Sequence, residues 1–317
     1  MEGESVVMVG SEPARLAFKP VSTEGLRVRS RYAAENSAVV YESGRDYTFN
    51  PVDATLLRLP GSRMPDFRTN MLFGKQDFDH SKFPGFGNTG FFVFVDYVYR
   101  PTNTWPIQPK QLEFLSQSQA KLNDGGEFRI VAFGDSITAG GDATHPDRIF
   151  WKRWANRLQQ RYPRAKVNAI NGATGGDSTV QGLQRLEAKV LKEKPDLVLL
   201  GFGMNDHNKG GVPIPQFESN LKQIIDRIRR ETRAEVILFS AFPPNPNWHY
   251  GTHRMQEYAA STRRVAAESR VAYADVFTNW QSLAERKKPE DLLGNNINHP
   301  NDFGHWIYFQ VIDALGL

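Results

Sequence analysis

Residues 128–141 read FRIVAFGDSITAGG, an apolar run that stops at small and polar residues. Phe128–Phe133 has the length and composition of a buried β-strand, and Gly134 begins the turn behind it. A serine directly after such a strand projects from the edge of a sheet. Its hydroxyl can act as a nucleophile only if a base lies within hydrogen-bond reach. Ser136 is therefore a candidate nucleophile, and capping of the following helix is its simpler role.

Apolar segments alternate with amphipathic segments throughout the chain after residue 127. The predicted strands are 128–133, 167–170, 197–201, 236–240 and 271–276, and the predicted helices are 147–162, 178–194, 215–231, 255–269 and 302–315. This alternation predicts an α/β fold, a doubly wound parallel sheet of about five strands in flavodoxin-like order with helices on both faces. In such a sheet the ligand site lies beyond the carboxyl ends of the strands.

The first hundred residues follow a shorter, strand-like rhythm. Residues 26–29, 47–49 and 91–99 alternate or run apolar, and turns containing Gly or Pro separate them. They predict a smaller all-β, sandwich-like domain over residues 1–109. A linker over 110–126, with one helix at Lys110–Leu122, joins it to the α/β domain of residues 127–317.

Composition excludes several classes of protein. The chain has 39 Lys and Arg against 35 Asp and Glu, a net charge of +4, and no polybasic run, so no nucleic-acid partner is expected. No apolar run approaches the roughly 18–20 residues that span a bilayer, so no membrane partner is expected either. The absence of cysteine excludes disulfides, Cys-ligated zinc and thiol nucleophiles.

The beginning of the chain does not have the charge and apolar pattern of a signal peptide. We expect a secreted or periplasmic protein from which the signal peptide has been removed, and a cytoplasmic protein remains the alternative. The sequence does not indicate an oligomeric state.

Three further loops carry polar residues at the predicted sheet edge. Gly176 lies in a glycine-rich loop after the second strand, where backbone N–H groups can approach a ligand closely. Asn205 follows the third strand and can donate to a developing oxyanion, although an Asx turn is its simpler role. His299 precedes the last helix and is the best placed of the seven histidines to act as general base to a serine.

In this order the four loops resemble the SGNH, or GDSL-type, hydrolase family. The resemblance covers about residues 127–317 and implies a serine esterase that needs no metal or cofactor. It implies Ser136 as nucleophile and His299 as base. It further implies an oxyanion hole made by the backbone N–H groups of Ser136 and Gly176 and the side-chain amide of Asn205.

The sequence departs from the family at one position. The resemblance implies an aspartate three residues before the base, and this chain has Asn296 there. In one interpretation a Ser136–His299 dyad works, with its ring oriented by Asn296, Asp302, a backbone carbonyl or a remote acid such as Asp291. In the other interpretation the site is impaired. We favour the dyad, because the other three loops are intact and losing one triad member does not abolish catalysis.

The loop after the fourth strand, residues 241–251, is rich in proline and aromatic residues and should overhang the site. Trp248, His249 and Asn245 are its candidate substrate-binding residues. The N-terminal β domain resembles, in general layout only, the domains that precede this catalytic domain in some carbohydrate esterases. Aromatic residues such as Phe83, Phe86 or Trp105 would then line the cleft.

These observations predict a carbohydrate O-acyl esterase, most simply an acetylesterase, with a small-molecule or polysaccharide ester as substrate. Two alternatives stay open. One is a general carboxylesterase or lipase-like enzyme acting on lipid or aryl esters. The other is a non-catalytic glycan-binding protein on a decayed hydrolase fold, an idea that rests on Asn296.

Overall fold

The computed structural model describes residues 1–32, 38–101 and 105–317. Its N-terminal part contains seven short strands: β1 Glu4–Val7, β2 Ala14–Arg15, β3 Arg27–Arg29, β4 Val40–Tyr41, β5 Tyr47–Asn50, β6 Thr55–Arg58 and β7 Phe92–Asp96. They form two antiparallel sheets in the orders β1-β7-β3-β4 and β2-β6-β5. The predicted all-β region is therefore confirmed.

Five parallel strands form the sheet of the second part. They are β8 Gly126–Gly134, β9 Ala165–Asn171, β10 Leu197–Gly201, β11 Glu235–Phe239 and β12 Ala272–Ala274, in the order β12-β11-β10-β8-β9. Numbered along the chain this order is 2-1-3-4-5, as in flavodoxin. The predicted fold class is confirmed.

Nine helices accompany the sheet in the described residues: α1 Ser116–Asp124, α2 Ser136–Ala139, α3 Phe150–Arg161, α4 Thr179–Lys189, α5 Ile214–Thr232, α6 Met255–Ser269, α7 Val276–Ala284, α8 Pro289–Leu292 and α9 Asp302–Asp313. The predicted helix at 110–122 begins only at Ser116, after a 3₁₀ turn at 112–114. Helix α7 was not predicted. The strand expected over 271–276 stops at Ala274, because the Asp275 side chain accepts from the Thr278 N–H at 3.1 Å and caps α7.

The ends of β8 and β10 approach each other more closely than side chains would allow. A Cβ atom on Gly134 would lie 2.2 Å from the carbonyl oxygen of Gly201, and one on Gly201 would lie 1.9 Å from the Phe239 ring. Strand β8 is apolar and buried from Ile130 onward, and Leu197–Gly201 is buried throughout. This packing brings the loop that begins at Asp135 beside the loop that follows Gly201.

Strand β1 was not predicted from the sequence, because it contains a buried charge. Glu4 is fully buried, and its carboxylate accepts from Lys287 Nζ at 2.9 Å and from the Tyr97 hydroxyl. Lys287 is also fully buried and donates to the carbonyl oxygens of Ser5 and Arg15 at 3.0 and 3.2 Å. A buried ion pair is tolerated only where further hydrogen bonds satisfy both groups. The partner of Glu4 therefore lies in the α/β part of the chain.

The same strand contacts the segment that leads to His299. The Asp291 carboxylate accepts from the Val7 N–H at 2.7 Å, and Ser5 Oγ donates to the Asp291 carbonyl at 2.6 Å. Asn301, the N-cap of α9, donates through Nδ2 to Ser5 Oγ at 2.9 Å. The N-terminal sheet thus supports the chain on both sides of the predicted base.

Candidate active site

Ser136 and His299 are 163 positions apart in the sequence and adjacent in the structure. Helix α2 begins with Ser136 directly after β8, and Ser136 Oγ lies 2.9 Å from His299 Nε2. Both side chains are partly exposed, so a substrate can reach them. If the hydroxyl donates to Nε2, the ring proton lies on Nδ1, which is the tautomer of a general base.

The other two predicted residues lie on neighbouring loops. Gly176 has φ +79°, with open space where a Cβ would stand, and a Cβ on Gly175 would lie 3.8 Å from Ser136 Cβ. Asn205 Nδ2 donates to the Asp177 carbonyl at 2.9 Å, which orients the amide. Its second amide hydrogen and the Ser136 N–H, which has no intrahelical acceptor in the first turn of a helix, are available to an oxyanion.

Two buried carboxylates hold these loops. Asp135 accepts from the Ile137 N–H at 2.9 Å, and its burial raises its pKa to about 7. Asp206 accepts from Thr179 Oγ1 at 2.5 Å and from the Gly203 N–H at 3.1 Å, and burial also raises its pKa. Asp206 therefore ties the start of α4 to the loop that carries Asn205.

The loop of His299 is organised by two asparagines that sequence analysis missed. Asn295 Oδ1 accepts from the N–H groups of Ile297, Asn298 and His299 at 2.9–3.0 Å. From the N-terminal part, the buried Asn88 donates its N–H to the Gly294 carbonyl at 2.7 Å. The asparagine-rich run 295–298 hints at such bonds, because asparagine readily bonds nearby backbone. Nothing local to Asn88 indicates its partner.

The three side chains predicted to orient the His299 ring are all engaged elsewhere. Asn296 is buried with φ +59°, a conformation that asparagine tolerates, and its backbone carbonyl and side-chain Oδ1 accept from Asn245 Nδ2 at 2.9 and 3.3 Å. The Asp302 carboxylate binds Thr144, and that of Asp291 binds backbone N–H groups. In the part of the chain that the structure describes, none of the three hydrogen-bonds to the ring.

A different carboxylate faces the ring. Asp142 Oδ2 lies 3.4 Å from His299 Nδ1, the nitrogen opposite the one that contacts Ser136. Asp142 follows two glycines with positive φ, Gly140 at +133° and Gly141 at +49°. The Gly-Gly-Asp sequence after the predicted nucleophile was the available signal, since paired glycines permit a sharp turn back toward the site.

The candidate substrate-binding residues of the loop 241–251 contact other segments of the chain. Trp248 is only 6% exposed and packs with Leu72, Phe78 and Ile297. Asn245 is buried on Asn296. His249 stays at the surface, with Nδ1 2.9 Å from an Asp77 carboxylate oxygen.

Across residues 1–32, 38–101 and 105–317, no group of three or more His, Asp or Glu side chains is arranged to hold a metal ion. In the same residues, no helix has both the length and the apolar character that crossing a membrane requires.

We expect Asn295→Ala to lower kcat on a nitrophenyl ester by about 10-fold or more, because one substitution removes the acceptor of three N–H groups that shape the His299 loop. Asn295→Asp keeps the acceptor oxygen and should stay within a few-fold of the parent protein. Steady-state kinetics on both variants, with thermal unfolding as a check on folding, make the comparison. Equal rates in the two variants would contradict this role for Asn295.

The raised pKa of Asp135 predicts a pH-dependent stability. Its ordinary value is 3.8, so the folded state binds the proton more tightly than the unfolded state does. The stability that the neutral Asp135 carboxyl contributes is therefore fully present below pH 4 and is lost as the pH rises through 7. Asp135→Asn stays neutral and keeps an oxygen for the helix cap.

The free energy of unfolding of Asp135→Asn should therefore rise relative to that of the parent protein as the pH increases from 4 to 7, by up to about 4 kcal/mol. The difference between the two proteins should level off above pH 8. Urea unfolding at several pH values measures this difference. Asp226→Asn, at an exposed carboxylate of α5, is the control and should show no such trend. A difference that does not change with pH would argue against a raised pKa at Asp135.

Comparisons with known proteins show to which family this chain is related. Residues 132–307 match the GDSL-like lipase/acylhydrolase family. An arylesterase of Vibrio mimicus is 32% identical over 189 residues, which cover 59% of this chain and 88% of that protein.

Two solved structures share the fold at low identity. A two-domain esterase active on acetylated mannans has a TM-score of 0.54 at 21% identity, over 65% of this chain and 54% of that chain. The acetylxylan esterase Axe2 of Geobacillus stearothermophilus has a TM-score of 0.53 at 20% identity, over 62% of this chain and 97% of its own. The family match spans more than half of the sequence and includes both Ser136 and His299. The chain therefore belongs to the GDSL-like lipase/acylhydrolase family and is an ester hydrolase.

Proposed function

We propose that this protein is a carbohydrate O-acyl esterase that removes small acyl groups, above all acetyl, from a polysaccharide. The observation that supports the chemistry is the 2.9 Å contact between Ser136 Oγ and His299 Nε2, with the Gly175–Gly176 loop beside it. Because this pair is intact and the family consists of acylhydrolases, a non-catalytic glycan-binding role is not favoured.

In the proposed reaction His299 Nε2 takes the hydroxyl proton as Ser136 Oγ attacks the ester carbonyl. The carbonyl oxygen gains negative charge and receives hydrogen bonds from the N–H groups of Ser136 and Gly176 and from the Asn205 amide. The C–O bond then breaks, and His299 returns the proton to the leaving alcohol. Water, activated by the same ring, releases the acyl group and restores the serine.

An aromatic surface beside the His299 loop supports a sugar substrate. We define it as His80, Phe83, Phe86 and Tyr250, all partly or fully exposed. The His80 ring lies 5.5 Å from that of Phe86 and 5.8 Å from that of Tyr250, centroid to centroid. Aromatic rings with a polar edge present apolar faces to the C–H groups of a sugar.

The aromatic surface is fixed relative to the site through buried contacts. Trp248 packs below it and donates through Nε1 to His80 Nδ1 at 3.1 Å. Phe86 is two residues from Asn88, which binds the Gly294 carbonyl in the His299 loop. Trp105, which we expected at the cleft, instead stacks on Trp306 of α9 with ring centroids 5.3 Å apart. The solved esterases named for acetylated mannans and acetylxylan favour the same substrate class.

We place the enzyme outside the cytoplasm, secreted or periplasmic, because polysaccharides of this kind do not cross membranes. We also propose the division into residues 1–109, 110–126 and 127–317, with the first part supporting the His299 loop. A general carboxylesterase is the second candidate, and the arylesterase relative favours it.

The first test compares nitrophenyl acetate, nitrophenyl esters of longer acyl chains, acetylated xylan and acetylated mannan. We expect acetyl to be the preferred acyl group and acetate to be released from at least one of the polymers. Ser136→Ala should lose at least 1,000-fold in kcat/KM, because the covalent step disappears. Unchanged rates in Ser136→Ala would refute the mechanism, and a preference for long chains with no release from polymers would favour the general carboxylesterase.

The second test concerns the aromatic surface. Phe86→Ala and Tyr250→Ala should raise KM for an acetylated polysaccharide about 3–10-fold, the effect of losing one aromatic contact. Their kcat/KM for nitrophenyl acetate should stay within twofold of the parent value. Phe73→Ala removes an exposed ring that contacts Phe67 and serves as the matched control. If all three variants behave alike on the polymer, this surface does not bind sugar.

A further inference from the structure

We propose that Asp142 is the positioning residue that orients His299, in place of the aspartate that the family resemblance implies at position 296. This inference rests on the proposed function, since it concerns the same site. It turns the expected dyad into a Ser136–His299–Asp142 triad whose acid follows the nucleophile by six residues instead of preceding the base by three.

The geometry around the ring meets the requirements for this role. His299 Nε2 contacts Ser136 Oγ at 2.9 Å, and Nδ1 faces Asp142 Oδ2 at 3.4 Å. Oδ2 is buried and has no hydrogen-bond partner in the described residues, although the Asp142 side chain as a whole is 35% exposed. Hydrogen bonds of a free active site are often long and shorten when substrate binds. A short movement would therefore complete the bond from Nδ1–H.

On the N-terminal side of Asp142, a hydrogen bond and a packing contact hold its loop in place. His305 Nε2 donates to the Gly140 carbonyl at 2.7 Å, and burial lowers the pKa of His305 to about 3, so the ring stays neutral. A Cβ on Gly141 would lie 3.2 Å from Pro300 Cδ. The chain therefore runs directly against α9 and the residue after His299 before it reaches Asp142.

On the C-terminal side of Asp142, hydrogen bonds and an ion pair hold the loop in place. The buried Asp302 carboxylate accepts from the Thr144 N–H at 2.9 Å and from Thr144 Oγ1 at 2.6 Å. Arg148 pairs with the same carboxylate at 3.0 Å. Asp302, one of the residues predicted to orient the ring, thus holds the segment that carries Asp142.

The two loops also fit each other at one glycine. A Cβ on Gly294 would lie 2.2 Å from Asp142 Cβ and 3.1 Å from Asp142 Oδ2. Gly294 lies in the His299 loop, and its N–H donates to the His299 carbonyl at 2.9 Å. Only a residue without a side chain allows Asp142 to come this close to the ring.

The test compares Asp142→Asn with Asp147→Asn, the same substitution at a carboxylate whose side chain is 70% exposed on the same segment. Asp142→Asn removes the negative charge that stabilises the imidazolium and leaves an amide that favours the wrong tautomer. We expect kcat on nitrophenyl acetate to fall at least 100-fold, with KM changing less than threefold. Asp147→Asn should stay within twofold of the parent protein in both.

A second measurement does not depend on activity. Nitrogen-15 NMR of the His299 ring in Ser136→Ala, with and without Asp142→Asn, shows which ring nitrogen carries the proton of the neutral ring. We expect the proton on Nδ1 while the carboxylate is present and a shift of the population toward Nε2 in Asp142→Asn. If the tautomer does not change, or if kcat of Asp142→Asn stays within fivefold of the parent value, the proposal is overturned. Absence of ester hydrolysis in the parent protein, with the tautomer change present, would instead reject the proposed function alone.

Discussion

The contact between Ser136 Oγ and His299 Nε2 joins the first strand of the parallel sheet to a loop near the end of the chain. Neither side chain can hold this position alone, because each lies on a loop that could adopt many conformations. On the serine side, Asp135 caps the short helix that presents the hydroxyl. On the histidine side, Asn295 Oδ1 accepts hydrogen bonds from three backbone N–H groups. The rest of the molecule keeps these two loops in register.

The N-terminal sheets take part in that task. Ser5 binds the chain on either side of His299, and Asn88 binds it at Gly294. The buried pair of Glu4 and Lys287 closes the contact between the two parts. Both charges are removed from water, so they contribute only while they remain together and hydrogen-bonded. The interface is therefore polar at its centre, and its geometry is more specific than that of an apolar contact of the same size.

Residue type and loop position made Ser136, Gly176, Asn205 and His299 candidates, and the family resemblance supplied their expected roles. Ser136, Gly176 and Asn205 lie close together because a parallel sheet brings the carboxyl ends of its strands to one edge. The fold class followed from the same periodicity. Asp142 could not be found this way, since its approach depends on the positive φ of two preceding glycines and on the missing side chain at Gly294.

Elements that depend on distant partners were also missed. Strand β1 contains Glu4, and the burial of this residue depends on its ion pair with Lys287, 283 positions away. Asn88 gives no local sign that it binds the His299 loop. Local patterns reveal amphipathic helices and apolar strands, whereas a buried polar group is explained only by its partner.

The pairing of Glu4 with Lys287 has a consequence for how such chains can be recombined. A chimera that joins residues 127–317 to an unrelated β domain would bury Lys287 without its 2.9 Å partner and leave it only the Asp291 carboxylate at 3.7 Å, unless the new domain supplied an acid at the same place. Exchange of the N-terminal part between relatives is therefore compatible with folding only when both halves of this ion pair are inherited together. The two parts of the chain behave as a matched set, although their sheets look like independent modules.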